Sequence, residues 1–112
     1  QAQRAYDAEL NSLRQDAATL QTLLDQQAQP ARAQVVAGEV RSRLAMGGLE
    51  TLALQRQALD DAALGVLDWA AGLQSLESAQ AALDAARSLL DEESARSNLI
   101  YLPVVKKDGR GE

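Results

Sequence analysis

The chain has 112 residues and a net charge of −5, and it contains no His, Cys or Phe. Without imidazole or thiol it lacks the commonest general bases, nucleophiles and soft-metal ligands, so most enzyme classes lose their usual chemistry. Its acidity argues against binding phosphate backbones, and no run approaches the ~20 apolar residues of a membrane-spanning helix.

Ala (22) and Leu (19) fill 41 of the 112 positions, with only two prolines. This is the composition of long α-helices. The expectation is an all-α fold: an antiparallel bundle, or intramolecular coiled coil, of three to four helices over residues 1–97. Residues 98–112 are expected to form an extended apolar strap and a polar tail.

Tyr6, Leu10, Leu13, Ala17, Leu20 and Leu24 are spaced 4, 3, 4, 3, 4. That is the a/d seam of a heptad repeat. Arg14, Gln15, Asp16, Gln21 and Asp25 fall between the seam positions and read as an exposed face. The pattern predicts a first helix over 2–28, stopped by Pro30, which cannot continue the ladder. Pro30 also suits the opening of a second helix over 31–46, because its missing N–H costs nothing there. Val35 or Val36, Val40 and Leu44 recur in it at helical spacing, and Gly47-Gly48 reads as a C-terminal cap with a tight connection.

A third helix is predicted over 49–72, with Glu50 in its first turn. Leu52, Leu59, Ala63, Val66, Ala70 and Leu73 keep a seam, with Arg56 in one seam position. Beside it runs a second stripe, Ala58, Ala62, Gly65, Trp69 and Gly72, whose small members allow close backbone approach. Two readings follow: plain packing, or a groove gated by Trp69. The seam then changes phase. Gly72, Ser75 and Glu77 supply a stop, an N-cap and an acidic first turn, opening a fourth helix over 75–97 with Leu76, Ala79, Leu83, Ala86 and Leu90 inward.

In the last segment Leu99, Ile100, Tyr101, Leu102, Val104 and Val105 form an apolar run broken by Pro103, which permits an edge strand or an extended strap. The run is expected to be extended and buried, along the bundle or against a partner.

By segment the charge is −2 over 1–29, +2 over 30–48, −3 over 49–72, −3 over 73–97 and +1 over 98–112. The basic stretch, with Arg32, Arg41 and Arg43, is flanked by acidic ones, and pairing between neighbouring helices explains this as well as an outside ligand would. Candidate reactive groups are sparse. Asp60 and Asp61 are adjacent, so their side chains diverge on a helix. Asp91, Glu92 and Glu93 cluster towards a predicted helix C-terminus, where the dipole disfavours them. The serines have no imidazole to activate them. No catalytic, cofactor or metal residues are assigned.

The reading is a non-enzymatic helical scaffold or protein-protein interaction module. It would bind itself or another protein through coiled-coil faces, with Trp69, Gly65, Gly72 and the apolar residues of 99–105 as interaction candidates. The alternative is an exported helical-bundle sensor or ligand-binding domain with a groove near Trp69. A start at Gln1 suits an exported, periplasmic or envelope component whose leader has been removed. If the first seam is right, Leu13→Ala or Leu20→Ala should cost about 2–5 kcal/mol. Gln15 or Gln21 substitutions should cost under about 0.5 kcal/mol. Urea denaturation of the four variants checks both classes.

Overall fold

A computed structural model describes the backbone of residues 2–27 and 29–101, and the side chains from residue 3 to residue 96 within them. Of the described residues 87% are helical, in four helices packed against each other. They are α1 (Ala2–Asp25), α2 (Pro30–Ala45), α3 (Ala53–Ala70) and α4 (Leu76–Tyr101). A one-turn 3₁₀ helix, Glu50–Leu52, leads into α3. No strand occurs among the described residues.

The breaks have local causes. α1 stops at Asp25, short of the expected 28, and Gln27 takes the left-handed conformation with φ +47. A non-glycine residue is strained there. Pro30 occupies the first turn of α2. Gly47, with φ +91, turns the chain after α2. At the end of α3 the Gly72 and Leu73 amides donate to the carbonyls of Trp69 (3.0 Å) and Asp68 (2.7 Å), with Gly72 at φ +78. This is a complete Schellman cap. The Ser78 amide donates to Ser75 Oγ at 3.1 Å, so Ser75 caps α4 as the sequence predicts.

α4 corrects the tail assignment. It runs on to Tyr101, so Leu99, Ile100 and Tyr101 form its last turn instead of an extended strap. Pro103 tolerates helix up to about two residues before it, which places the limit later than the expected 97. Leu102, Val104 and Val105 lie outside the described residues.

α1 runs antiparallel to α4, and α3 lies between α2 and α4, packing most extensively against both. α1 leans on α4 and α3 and barely approaches the α2 backbone. The result is a flat rod of 52 × 29 × 18 Å. One core runs through it. Leu10, Leu13, Ala17, Leu20 and Leu24 enter from α1, with Tyr6 packed at the margin. Val40 and Leu44 enter from α2, Leu52, Leu59, Ala63 and Val66 from the 3₁₀ helix and α3, and Ala79, Leu83, Ala86 and Leu90 from α4. Burying a Leu side chain fully is worth roughly 1.5–3 kcal/mol, and Leu20, Leu52, Leu59 and Leu83 are completely enclosed.

Two register details differ from the sequence reading. The inward position between Leu52 and Leu59 is Gln55, which is buried, while Arg56 sits on the flank. α3 ends before Leu73, so that side chain is exposed in the turn. Gln21 also departs from the expected exposed face. Its amide exchanges hydrogen bonds with Gln80 at 2.9 and 2.8 Å and accepts one from Arg87 at 3.0 Å. A side chain so bonded is worth about 0.5–1.5 kcal/mol per bond, which removes Gln21 from the neutral class.

Gln55 Oε1 is buried with no hydrogen-bond partner among the described residues. An orphaned amide oxygen costs about 1–3 kcal/mol, and a leucine of similar volume would not incur that cost. Gln55→Leu is therefore expected to raise the urea midpoint, by about 1 kcal/mol or more in stability. A lower midpoint would mean that the amide contributes a bond to the folded core.

Candidate functional site

The bundle's charged chemistry is concentrated where the α2–α3 connection meets α1. Glu9 projects from the half-buried edge of α1. Its Oε1 accepts the Leu49 amide at 2.7 Å and its Oε2 accepts Arg56 Nη1 at 2.7 Å. The same guanidinium nitrogen donates to the Leu49 carbonyl at 3.0 Å, closing a ring around the loop. Gly48 passes so close that a Cβ there would stand 2.7 Å from Arg56 Nη1. A side chain at Gly48 would have to displace the ends of Glu9 and Arg56, whereas at Gly47 it is the positive φ that favours glycine.

One turn further, Arg43 Nη2 donates to Asp16 Oδ1 at 2.6 Å. Asp16 is buried, although its place in the heptad marks it as an outer residue. Across α2 and α3, Arg41 grips Asp60 with two bonds, Nε to Oδ1 at 2.9 Å and Nη2 to Oδ2 at 3.2 Å. Asp60, with Asp61 and Asp68 further off, raises the Arg41 pKa. Arg41 and Arg43 of α2 thus pair with acidic residues of the neighbouring helices.

Two clefts flank this corner. The larger, of about 640 Å³, lies between α2 and α3 and is lined by Gly38, Arg41, Ser42, Ala45, Ala53 and Gln57 among others. The smaller, of about 350 Å³, separates α1 from the end of α2 beside Glu9, Asp16 and Arg43. Glu9, Asp16 and Asp60 each face a guanidinium, so the corner acts as a clamp on three helices. Among the described residues no group of three or more carboxylate, His or Cys side chains is placed to hold a metal ion.

The residues singled out from sequence lie elsewhere. Gly65 faces α4, where an added Cβ would meet Gln74 Nε2 at 3.0 Å and the Ala79 Cα at 3.7 Å. Gln74 Nε2 donates to the Gly65 carbonyl at 3.0 Å. Trp69 is half-buried against the core, and Gly72 belongs to the cap below it. Gly65 thus serves the α3–α4 contact, Ala62 lies in the core with Trp69 packed against it, and neither cleft is lined by Trp69. Leu99, Ile100 and Tyr101 sit far along α4, away from the α3–α4 turn.

The carboxylates of α4 also find partners. Asp91 lies 3.6 Å from Arg14. Glu93 is buried at the next seam position after Leu90, where it accepts Tyr6 Oη at 2.5 Å and pairs with Arg96. Because α4 continues to Tyr101, this cluster stands two turns inside the helix, out of the last-turn dipole field.

The chain matches no protein-family model, no curated protein and no solved structure.

The Tyr6 hydroxyl, helped by Arg96 and opposed by burial, holds the Glu93 carboxyl below its ordinary value. A group depressed in the folded state stabilises above its unfolded pKa, near 4.3, and loses that contribution as pH falls through the lower folded value. The stability gap between the wild type and Tyr6→Phe should therefore be constant above about pH 5 and narrow below about pH 4. Urea midpoints at several pH values measure it. A gap that does not change with pH would assign the Tyr6 effect to packing alone.

Proposed function

We propose that the chain is a helical scaffold and protein-interaction module that works by presenting helix faces. The observation that carries this reading is the outer surface of the α2–α3 hairpin. Val35, Met46, Leu54 and Leu64 are 40–84% exposed there. They account for four of the five exposed large apolar side chains among the described residues. Between them runs the 640 Å³ cleft, whose walls include Gly38, Ser42, Ala45 and Ala53.

Scattered exposed leucines are ordinary, whereas a group on one face, rimmed by charge, marks an interaction surface. Small residues along the floor let an approaching helix come near the backbone. The charged groups of the same region already engage one another across the helices. What is left for a partner is apolar surface with a polar rim, the anatomy of a docking site.

The test compares the wild type with Val35→Gln/Leu54→Gln/Leu64→Gln. Each is immobilised and exposed to extract of the source cells, and retained proteins are quantified by mass spectrometry. The changes are at the surface, so circular dichroism should give equal helix content. At least one protein, further copies of the chain included, should be retained by the wild type and lost by the variant. Equal retention, or none by either, would overturn the reading.

A further inference from the structure

The α2–α3 face has an internal match that identifies an occupant. The two helices are antiparallel, with Arg41 opposite Asp60. Counting outward from that pair, Val35 falls within two residues of the level of Leu64, and Met46 within one of Leu54. Arg32 falls within one residue of Asp68. At 3.6 residues per turn the four apolar side chains point away from the core, as their exposure requires.

From this match we propose that the face is a self-association surface and that its occupant is a second copy of this chain. The proposal rests on the interaction-module reading and names the surface and the partner. A half-turn about an axis running between α2 and α3, parallel to both, lays α2 of each copy on α3 of the other. Every neighbouring pair is then antiparallel, as in a four-helix bundle. Levels are preserved by that rotation, so Val35 meets the partner's Leu64 and Met46 meets the partner's Leu54. The small residues Gly38, Ser42, Ala45 and Ala53 leave room for these side chains.

The charges match in one place and conflict in another. Arg32, exposed near the start of α2, comes level with the partner's Asp68, joining the basic helix to the acidic one. Glu39 comes level with the partner's Asp61, a like-charge pair that limits affinity. Size sets the same limit. Helices of 16 and 18 residues are about 24–27 Å long and, side by side, about 20 Å wide. The footprint is about 500 Å² per copy, roughly 1,000 Å² in total, at the lower edge of specific interfaces. The dimer is thus reversible and concentration-dependent.

Sedimentation velocity on the whole chain, from about 5 to 500 µM, tests this. The wild type should pass from monomer to dimer within that range. Leu64→Glu should raise Kd at least about tenfold, and Glu39→Lys should lower it about threefold or more. Arg32→Asp and Asp68→Arg, each weakened alone, should regain wild-type dimerisation when mixed, because only the mixed pair restores both opposite-charge contacts. Circular dichroism confirms that each variant is folded. A wild type that stays monomeric throughout overturns the second copy as occupant, while the capture experiment decides separately whether the chain is an interaction module. A dimer indifferent to Leu64→Glu, or mixed charge variants that stay monomeric, would also overturn this geometry.

Discussion

The close approach of α3 to α4 at Gly65 is the constraint on which the rest of the bundle depends. A chain without Phe cannot fill wide inter-helix spaces with rings, so its core is assembled from Leu and Ala. Alanine contributes to packing only where the backbones are near, since its side chain ends at Cβ. Gly65, Ala79 and Ala82 come together for this reason. With α4 held so closely on one side of α3 and α2 clamped on the other by Arg41 and Asp60, α1 is left to close the core from above. Its leucines supply the bulk that the α3–α4 contact excludes.

The polar bonds add register to this packing. A Leu and Ala seam tolerates sliding by a heptad, because its surfaces repeat. Bonds at defined levels do not: Tyr6 to Glu93 near one end of the α1–α4 pair, Gln21 to Gln80 near the other, and Glu9 to Leu49 and Arg56 at the connection. Their individual worth is small where they are exposed. Their positions single out one alignment among several of similar hydrophobic energy.

Much of the fold was legible in the sequence because helical periodicity and caps are local signals. The seams of α1 and α4, Pro30 at the start of α2, the Gly47 turn and the Ser75 cap all rest on residues within a few positions of each other. The misreadings concern features set by other helices. Gln55 displaces Arg56 from the seam because Glu9 and the Leu49 carbonyl draw the guanidinium to the flank. Asp16 is buried because Arg43 reaches across to it. The clefts beside α2 are invisible to a single-helix pattern, while Gly65, conspicuous in sequence, lies against α4 and Trp69 packs on the core. The segmental charge was the one long-range signal available, and by itself it left pairing of α2 with its neighbours and an outside ligand equally open.

The order of contacts along the chain has a kinetic consequence. α2, α3 and α4 follow one another through short connections, so their contacts close small loops. α1 contributes its bonds at separations of 27 to 87 residues, from Asp16 to Arg43 up to Tyr6 to Glu93. Closing a loop costs entropy that grows with the logarithm of its length, and distant contacts slow the barrier crossing. The three later helices therefore have the cheaper route to a nucleus, and α1 docks onto it afterwards. Leu59, Val66, Leu83 and Leu90 belong to the core that α1 completes, so their apolar surface is covered only when the most distant contacts along the chain have closed.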